Sequence, residues 1–368
     1  MEIEITQEKL AKALTTVSRV AMGAKSTLPI LSNVLIRVDK EKVSLTTTNL
    51  DMAVVNYIPV ISAKDGVITA PARLLAEFSQ NLPRGEKITL KADGNKITVK
   101  AGKYSSVING ASADDFPELP EIEKDKCVAF SMSVDDFKAG LSQVVIAASG
   151  DTTRPSLTGV YFNTYNSTLY VAATDGYRLA DREFIHKVDS EIAAIVPTSS
   201  LQEVLRSIPE DAEEIEFLFD DTQVRFRAGE LEITSKLING TFPDYRELIP
   251  KDNKIEANVK RDELMRVVKI ASLFARESNR AIICKADSKK KLLEVSSIAN
   301  EVGENKSEVE GEISGDGEIR LDSRFLSEAL NAFAGAEVKF GFNDGAKPLL
   351  ITDEKDGKYQ HLIMPLNG

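Results

Sequence analysis

Tryptophan is absent from this chain, cysteine and histidine occur twice each, and aromatic residues make up only 6%. The shortage of flat side chains argues against a large aromatic ligand cage. His186 and His361 belong to no HExxH pattern, and no CxxC, EF-hand loop or phosphate-binding Walker loop is present, so no metal, no cofactor and no catalytic residues are expected. A serine or cysteine nucleophile would lack an activating base. Cys127 and Cys284 lie far apart in apolar surroundings, and both are expected to be reduced and buried. No apolar run approaches the length of a membrane span, and the opening MEIEITQEKL has no secretory pattern. A cytoplasmic location with no membrane partner is therefore expected, and the sequons at Asn166, Asn239 and Asn305 are read as chance matches.

Positive charge is also in short supply. The formal net charge is −11, which argues against a nucleic-acid partner unless the charges are segregated. They are. Lys9, Lys12, Thr16 and Arg19 share a face opposite an apolar stripe, and Arg261, Arg266, Lys269 and Arg276 stand outside another. Arg73, Arg206 and Arg324 fall on further helical patterns, while Lys138 stands nearly alone on its own. Acidic residues gather in loops and hairpins: Asp114-Asp115, Glu210 to Glu216, Asp220-Asp221 and Glu301 to Glu312. Basic helices and acidic strands predict two surfaces of opposite sign.

What the chain does have is a repeat, and repeats decide the fold. Three helical patterns, ITQEKLAKALTTVSRVA, SVDDFKAGLSQVVIAA and VKRDELMRVVKIASLFA, place Leu10, Phe137 and Leu264 at equal intervals. Their stripes continue as Leu14, Val17 and Ala21, then Leu141, Val144 and Ala148, then Val268 and Ala271. Thr6 and Ser133 or Asp135 offer N-cap chemistry to the first two. A second set of helices follows, with Leu75, Leu201 and Leu326 at near-equal intervals. Alternating runs with turns at Asp93-Gly94-Asn95 and Asp220-Asp221 read as hairpins. The chain is thus expected to be α+β, with three repeated domains, 1–125, 126–252 and 253–368, each of two helices on antiparallel sheets. The acidic, proline-containing segments from Pro117 and Pro243 read as linkers.

Two segments stand out beyond the repeat. Thr174-Asp175-Gly176-Tyr177-Arg178-Leu179 is an Asp-Gly turn carrying groups able to hold a carboxylate or phosphate. Its counterpart, Thr48-Asn49-Leu50-Asp51, points to a structural origin that one repeat has elaborated. The apolar end His361-Leu362-Ile363-Met364-Pro365-Leu366 reads as a last core strand, a docked tail or a groove rim.

The TLPILSN run at Thr27, TDGYRLA at Thr174, NGTFPDYRELIP at Asn239 and Met364-Pro365-Leu366, in this order and with the threefold repeat, resemble the bacterial β sliding clamps from end to end. That resemblance implies clamp domains whose helices face DNA, and two chains joined head to tail in a closed ring. It implies duplex DNA held without sequence preference, and as protein partners the replicative polymerase, a clamp loader and other carriers of a clamp-binding peptide. The residues it assigns to the peptide pocket are Leu157, Thr174, Gly176, Tyr177, Arg178, Leu179, Pro243, Leu248, Phe325, Ala346, Leu362, Met364 and Pro365. Facing DNA it implies Lys9, Lys12, Arg19, Lys25, Arg73, Lys138, Arg154, Arg206, Arg266 and Lys269, and at the ring contact Ile108 against Leu273 and Phe274. Several positions depart from the family: Tyr177 replaces a familiar His, Phe325 a Tyr, Glu247 a basic residue, Pro155-Ser156 an aromatic pair, and the tail ends in Asn367-Gly368. These bear on peptide preference and on loop contacts with DNA. Two other readings stay open on the sequence: a binding scaffold of the same fold without a ring, and an enzyme using Asp175, Tyr177 and Arg178.

Overall fold

The structure is a computed structural model that describes residues 1–23, 28–40, 42–119, 122, 127–299, 303–353 and 355–366. Lys25, Thr27, Glu301, the 125/126 boundary, most of the first linker after Leu119, and Asn367 and Gly368 lie outside the described residues.

The first repeat runs β1 (Glu2–Thr6), α1 (Gln7–Gly23), β2 (Asn33–Asp39), β3 (Lys42–Thr48) and β4 (Met52–Ile58). It continues with β5 (Ser62–Lys64), β6 (Gly66–Pro71), α2 (Ala72–Gln80), β7 (Lys87–Asp93), β8 (Lys96–Ala101) and β9 (Tyr104–Asn109). The second has β10 (Val128–Ser133), α3 (Val134–Val145), β11 (Gly159–Tyr165), β12 (Thr168–Thr174) and β13 (Arg178–His186). Then come β14 (Ala193–Pro197), α4 (Thr198–Ser207), β15 (Glu214–Phe219), β16 (Gln223–Ala228) and β17 (Leu231–Lys236). The third comprises β18 (Ile255–Lys260), α5 (Arg261–Phe274), β19 (Ala281–Asp287), β20 (Leu292–Ala299) and β21 (Gly303–Ser314). It closes with β22 (Gly317–Asp322), α6 (Ser323–Ala332), β23 (Glu337–Phe342), β24 (Leu349–Thr352) and β25 (Tyr359–Ile363).

The helices form where the apolar period demands them. Leu10, Leu14 and Val17 are fully buried on α1, Phe137, Leu141 and Val144 on α3, and Leu264, Val268 and Ala271 on α5. Each large side chain removed from water contributes roughly 1.5–3 kcal/mol, which fixes the buried face of each helix. Leu75, Leu201 and Leu326 do the same for α2, α4 and α6. In the second set α6 is capped by Asp322, whose carboxylate accepts from the Arg324 N–H at 2.8 Å. One stripe ends earlier than its sequence period: α3 stops at Val145, so Ala147 is buried instead of Ala148.

The sheets cross the repeat boundaries. In the first compact unit (Met1–Val134 with Ser199–Leu237), a five-stranded sheet runs β5-β1-β7-β8-β9, and an eight-stranded one runs β10-β15-β16-β17-β4-β3-β2-β6. The second unit (Asp135–Thr198 with Ile238–Gly368) carries a twelve-stranded sheet, β14-β11-β12-β13-β25-β24-β23-β18-β21-β20-β19-β22. The joints are equivalent: β17, the last strand of repeat two, pairs antiparallel with β4 of repeat one, and β25, the last of repeat three, pairs antiparallel with β13 of repeat two. The middle repeat is divided between the two units because its two sheets pair in different directions.

Two expectations are corrected, those for Cys127 and for the second linker, and one ring-contact candidate is placed. Cys284 is buried, and desolvation pushes its thiol up to about 12, but Cys127 is only partly buried. Ile108 lies opposite Ile97 on the inner side of β9 and is buried in its own sheet, so the large apolar side chains that β9 exposes are Tyr104 and Val107. The segment after Pro243 is no passive linker: Phe242 and Tyr245 join a core cluster with Ala172, Leu179, Ile195 and Leu362.

His361 sits within β25, fully buried, and burial pushes its imidazole down to about 3. The Tyr359 hydroxyl donates to the Gln143 carbonyl at 3.1 Å and meets His361 Nδ1 at 2.9 Å, while Nε2 has no partner. A ring with bare Nε2 is tolerable; a charged ring would leave a buried N–H unpaired. The folded pKa lies below the unfolded value of 6.5, so the stability from the neutral ring is complete above pH 6.5 and is lost as pH falls toward 3. The gap in urea-unfolding free energy between wild type and His361→Gln should change by about 1.4 kcal/mol per pH unit across that window. A gap that does not move with pH would refute the assignment.

Candidate functional site

The Thr174–Arg178 turn is built by its own side chains. Thr174 Oγ1 donates to the Arg178 carbonyl at 2.6 Å and accepts from the Gly176 N–H at 3.1 Å. Asp175 Oδ1 accepts from the N–H groups of Tyr177 (2.9 Å) and Arg178 (3.0 Å), and Oδ2 accepts from Arg178 Nε at 3.1 Å. The first repeat makes the same bonds: Thr48 Oγ1 donates to Met52 O at 2.9 Å and accepts from Leu50 N at 3.0 Å, and Asn49 Oδ1 accepts from Asp51 N and Met52 N. Gly176 has φ +92°, and Leu50 holds the corresponding left-handed backbone at +76° without being glycine. The turn is therefore inherited structure, and Asp175 is occupied in holding it.

Beside this turn lies a small apolar hollow of about 120 Å³, lined by Leu157, Thr174, Gly176, Arg178, Leu179, Pro243, Tyr245, Leu248, Leu362 and Met364. It lies wholly within the second compact unit. Arg178 starts β13, and its guanidinium is pinned between Asp175 and Glu328 while stacking 4.6 Å over the Phe325 ring. Leu362 ends β25, and the chain then turns so that Met364 N–H donates to the Tyr177 carbonyl at 2.8 Å. The C-terminal segment is thus both a last core strand and the rim of the hollow. Of the thirteen residues expected at a peptide pocket, nine line it. Phe325 lies beneath Arg178, Tyr177 points outward and is 62% exposed, Ala346 is exposed and Pro365 is half-buried.

Tyr245 was not legible as a lining residue. Its ring packs at 6.1 Å on Phe242, which stacks at 4.8 Å on Tyr161, and its hydroxyl donates to Asp181 Oδ1 at 2.7 Å. Asp181 also accepts from Gln360 Nε2 at 2.8 Å, and burial raises its pKa above the usual carboxylate range against the pull of those two bonds. Burial and the Asp181 charge raise the Tyr245 hydroxyl in turn. The aromatic run DYR within NGTFPDYRELIP was the available signal, read there as linker.

The expected DNA-facing residues divide. In the first compact unit Lys9, Lys12 and Arg206 are exposed and line one cleft of about 620 Å³. Arg19 is committed elsewhere: its Nε donates to Glu203 Oε1 at 2.8 Å and its Nη2 to Ser207 Oγ at 2.7 Å. Arg73 pairs with Glu77 at 2.8 Å along its own helix. In the second unit Arg266 and Lys269 are exposed and Lys138 is half-buried. Arg154 pairs with Asp151 at 3.2 Å and reaches the Asp175 carbonyl at 3.3 Å, which ties it to the Thr174 turn. Of the expected ring-contact residues, Leu273 is 55% exposed and Phe274 half-buried. Among the described residues no cluster of three or more His, Cys, Asp or Glu is placed to hold a metal, and no helix is long and apolar enough to cross a membrane.

Comparison with known proteins accounts for the whole chain. Residues 1–120, 131–244 and 246–367 match, in order, the N-terminal, central and C-terminal domains of the DNA polymerase III beta subunit. The beta sliding clamp of Synechococcus elongatus is 30% identical over all of this chain and 99% of its own length, and that of Bacillus subtilis is 29% identical with the same coverage. The crystal structure of the Bacillus subtilis clamp superposes with a TM-score of 0.94 at 28% identity, covering 100% of this chain and 99% of that one. A Pseudomonas aeruginosa clamp bound to griselimycin also gives 0.94, at 27% identity and complete coverage of both chains. The three domain matches and the full-length relatives place this chain in the DNA polymerase III beta-subunit family, the bacterial sliding clamps.

Proposed function

We propose that two copies of this chain close around duplex DNA and hold the replicative polymerase to it, with the ring retained by topology and not by tight contact. The observation that carries this is the repeated joint between the sheets. Twice within the chain the last strand of one repeat pairs with the strand after the Thr-turn of the repeat before it, β17 on β4 and β25 on β13. Among the strand edges that remain in the described residues are β9, at the end of its sheet, and β21, whose Gly303–Glu310 stretch has a partner on one side only. A second copy supplies the missing pair in each direction, which closes a head-to-tail dimer. Exposed Tyr104 and Val107 on β9, and exposed Leu273 beside half-buried Phe274, are the apolar groups offered to that contact, with Ile108 supporting it from within.

Lys9, Lys12, Arg206, Lys138, Arg266 and Lys269 are assigned to the DNA phosphates, because among the described residues no ion pair occupies them. Arg19, Arg73 and Arg154 contribute less, since carboxylates already engage them. Weak contacts suit a ring that slides. The hollow beside Thr174 is assigned to a short peptide of the polymerase, the clamp loader and other partners, with apolar anchors against Leu157, Leu179, Pro243, Leu248 and Leu362 and with Tyr177, Ala346 and Pro365 at its edges. No catalytic step is assigned: the Asp175 carboxylate is used up by the turn, and Asp175→Asn should alter partner binding at most. The action is cytoplasmic.

Light scattering at micromolar and low-nanomolar concentration should give about twice the chain's 40.3 kDa. Leu273→Asp should shift the mass to a monomer, and once loaded by the cognate clamp loader the wild type should remain on nicked circular DNA in salt but leave linear DNA. A wild type monomeric at every concentration would remove the encircling mechanism. Replacing Lys9 and Lys12 together by Ala should lower the slope of log affinity for duplex DNA against log salt by about 2; an unchanged slope would remove both from the DNA contact. For the groove, overlapping peptides spanning the cognate polymerase should bind, and Leu248→Asp should weaken the tightest of them at least about tenfold. Failure of every peptide to bind would end the groove assignment.

A further inference from the structure

One wall of the groove is the chain between Gly240 and Ile255, which supplies Pro243, Tyr245 and Leu248 to the lining. This segment belongs to no strand, and among the described residues its backbone-to-backbone bonds are local: Leu248 N–H to Tyr245 O at 3.0 Å and Ile249 N–H to Arg246 O at 3.3 Å. Something other than a hydrogen-bonded ladder must hold it. On the side turned away from the lining, the Arg246 guanidinium lies 4.3 Å from the centroid of Tyr165, 4.4 Å from that of Tyr170 and 5.1 Å from that of Tyr245. Its Nη2 donates to Asn163 Oδ1 at 2.9 Å, and Asn163 Nδ2 donates to the Tyr245 hydroxyl at 3.3 Å. Tyr245 is in turn anchored on Asp181.

The cage is thus made from β11 and β12, which belong to a twelve-stranded sheet, and from the wall itself. It fastens a segment without a ladder to two hydrogen-bonded strands of that sheet. A planar guanidinium suits the task because it offers two faces to rings and a fork of donors at its edge. Arg246 does not line the hollow, so its contribution to binding has to pass through Tyr245 and Leu248 on either side of it.

We propose that Arg246 is a positioning residue of the peptide groove, and that the three-tyrosine cage sets the place of the Pro243–Leu248 wall before any peptide arrives. This rests on the groove reading given above. A wall already in place spares the peptide the ordering of that wall, so loosening it should appear as faster dissociation.

The test uses the full-length dimer, the tightest-binding polymerase peptide, and the variants Arg246→Met, Tyr170→Ala and Tyr170→Phe. Arg246→Met and Tyr170→Ala should each weaken the peptide about tenfold, mainly through faster dissociation. Tyr170→Phe keeps the ring face and should bind as wild type does. Without peptide, amide exchange at Leu248 and Ile249 should quicken in the two weakened variants, while exchange elsewhere in the sheet and the dimer mass stay unchanged. Wild-type affinity in Arg246→Met would overturn the proposal. So would equal losses in Tyr170→Phe and Tyr170→Ala, or exchange that rises throughout the second unit. If no peptide binds the wild type, the groove reading fails by itself, and the exchange measurement still decides whether Arg246 holds the wall.

Discussion

A β-strand at the edge of a sheet exposes a row of N–H and C=O groups that want partners, and this constraint organises the chain. The second and third repeats each end in such a strand and answer it by pairing with the repeat before. The sheets are therefore longer than the domains, and the middle repeat is shared between two compact units. The same constraint is left unanswered at other edges, β9 and part of β21 among them.

The groove is a by-product of that arrangement. Where β25 joins β13, the turn before β13 and the residues after β25 come together, and Arg178 and Met364 become neighbours of one hollow. The third wall, Pro243 to Leu248, packs onto the sheet through Phe242 and Tyr245 and is fastened behind by Arg246. The hollow thus has two sides made of ladders and one held by side chains. Its polar anchor, Asp181, is buried and accepts two hydrogen bonds, so the loop is located by directional contacts as well as by apolar packing.

Much of this was legible in the sequence, for definite reasons. A helix declares its buried face by period, so Leu10, Phe137 and Leu264 could be placed from the chain alone. The Thr174 turn was legible because its bonds are local, made between residues two to four apart. What escaped notice was non-local. The direction of Ile108 depends on which face of its sheet is covered, the commitment of Arg19 on Glu203 from a distant repeat, and the role of Tyr245 on Asp181, far earlier in the chain. The scarcity of aromatic residues was read as excluding an aromatic cage for a ligand. Three of the eight tyrosines do form a cage, but its occupant is an arginine of the same chain.

The pair of turns at Thr48 and Thr174 bears on the history of the molecule. They keep the same backbone and the same internal bonds, yet differ at the positions that face outward, Leu50 for Gly176 and Asp51 for Tyr177. The left-handed residue survives in the first repeat without its glycine, at a cost on the order of 1 kcal/mol. A repeated unit can in this way change what one copy displays without changing its backbone, because the bonds that hold the turn do not depend on the outward side chains.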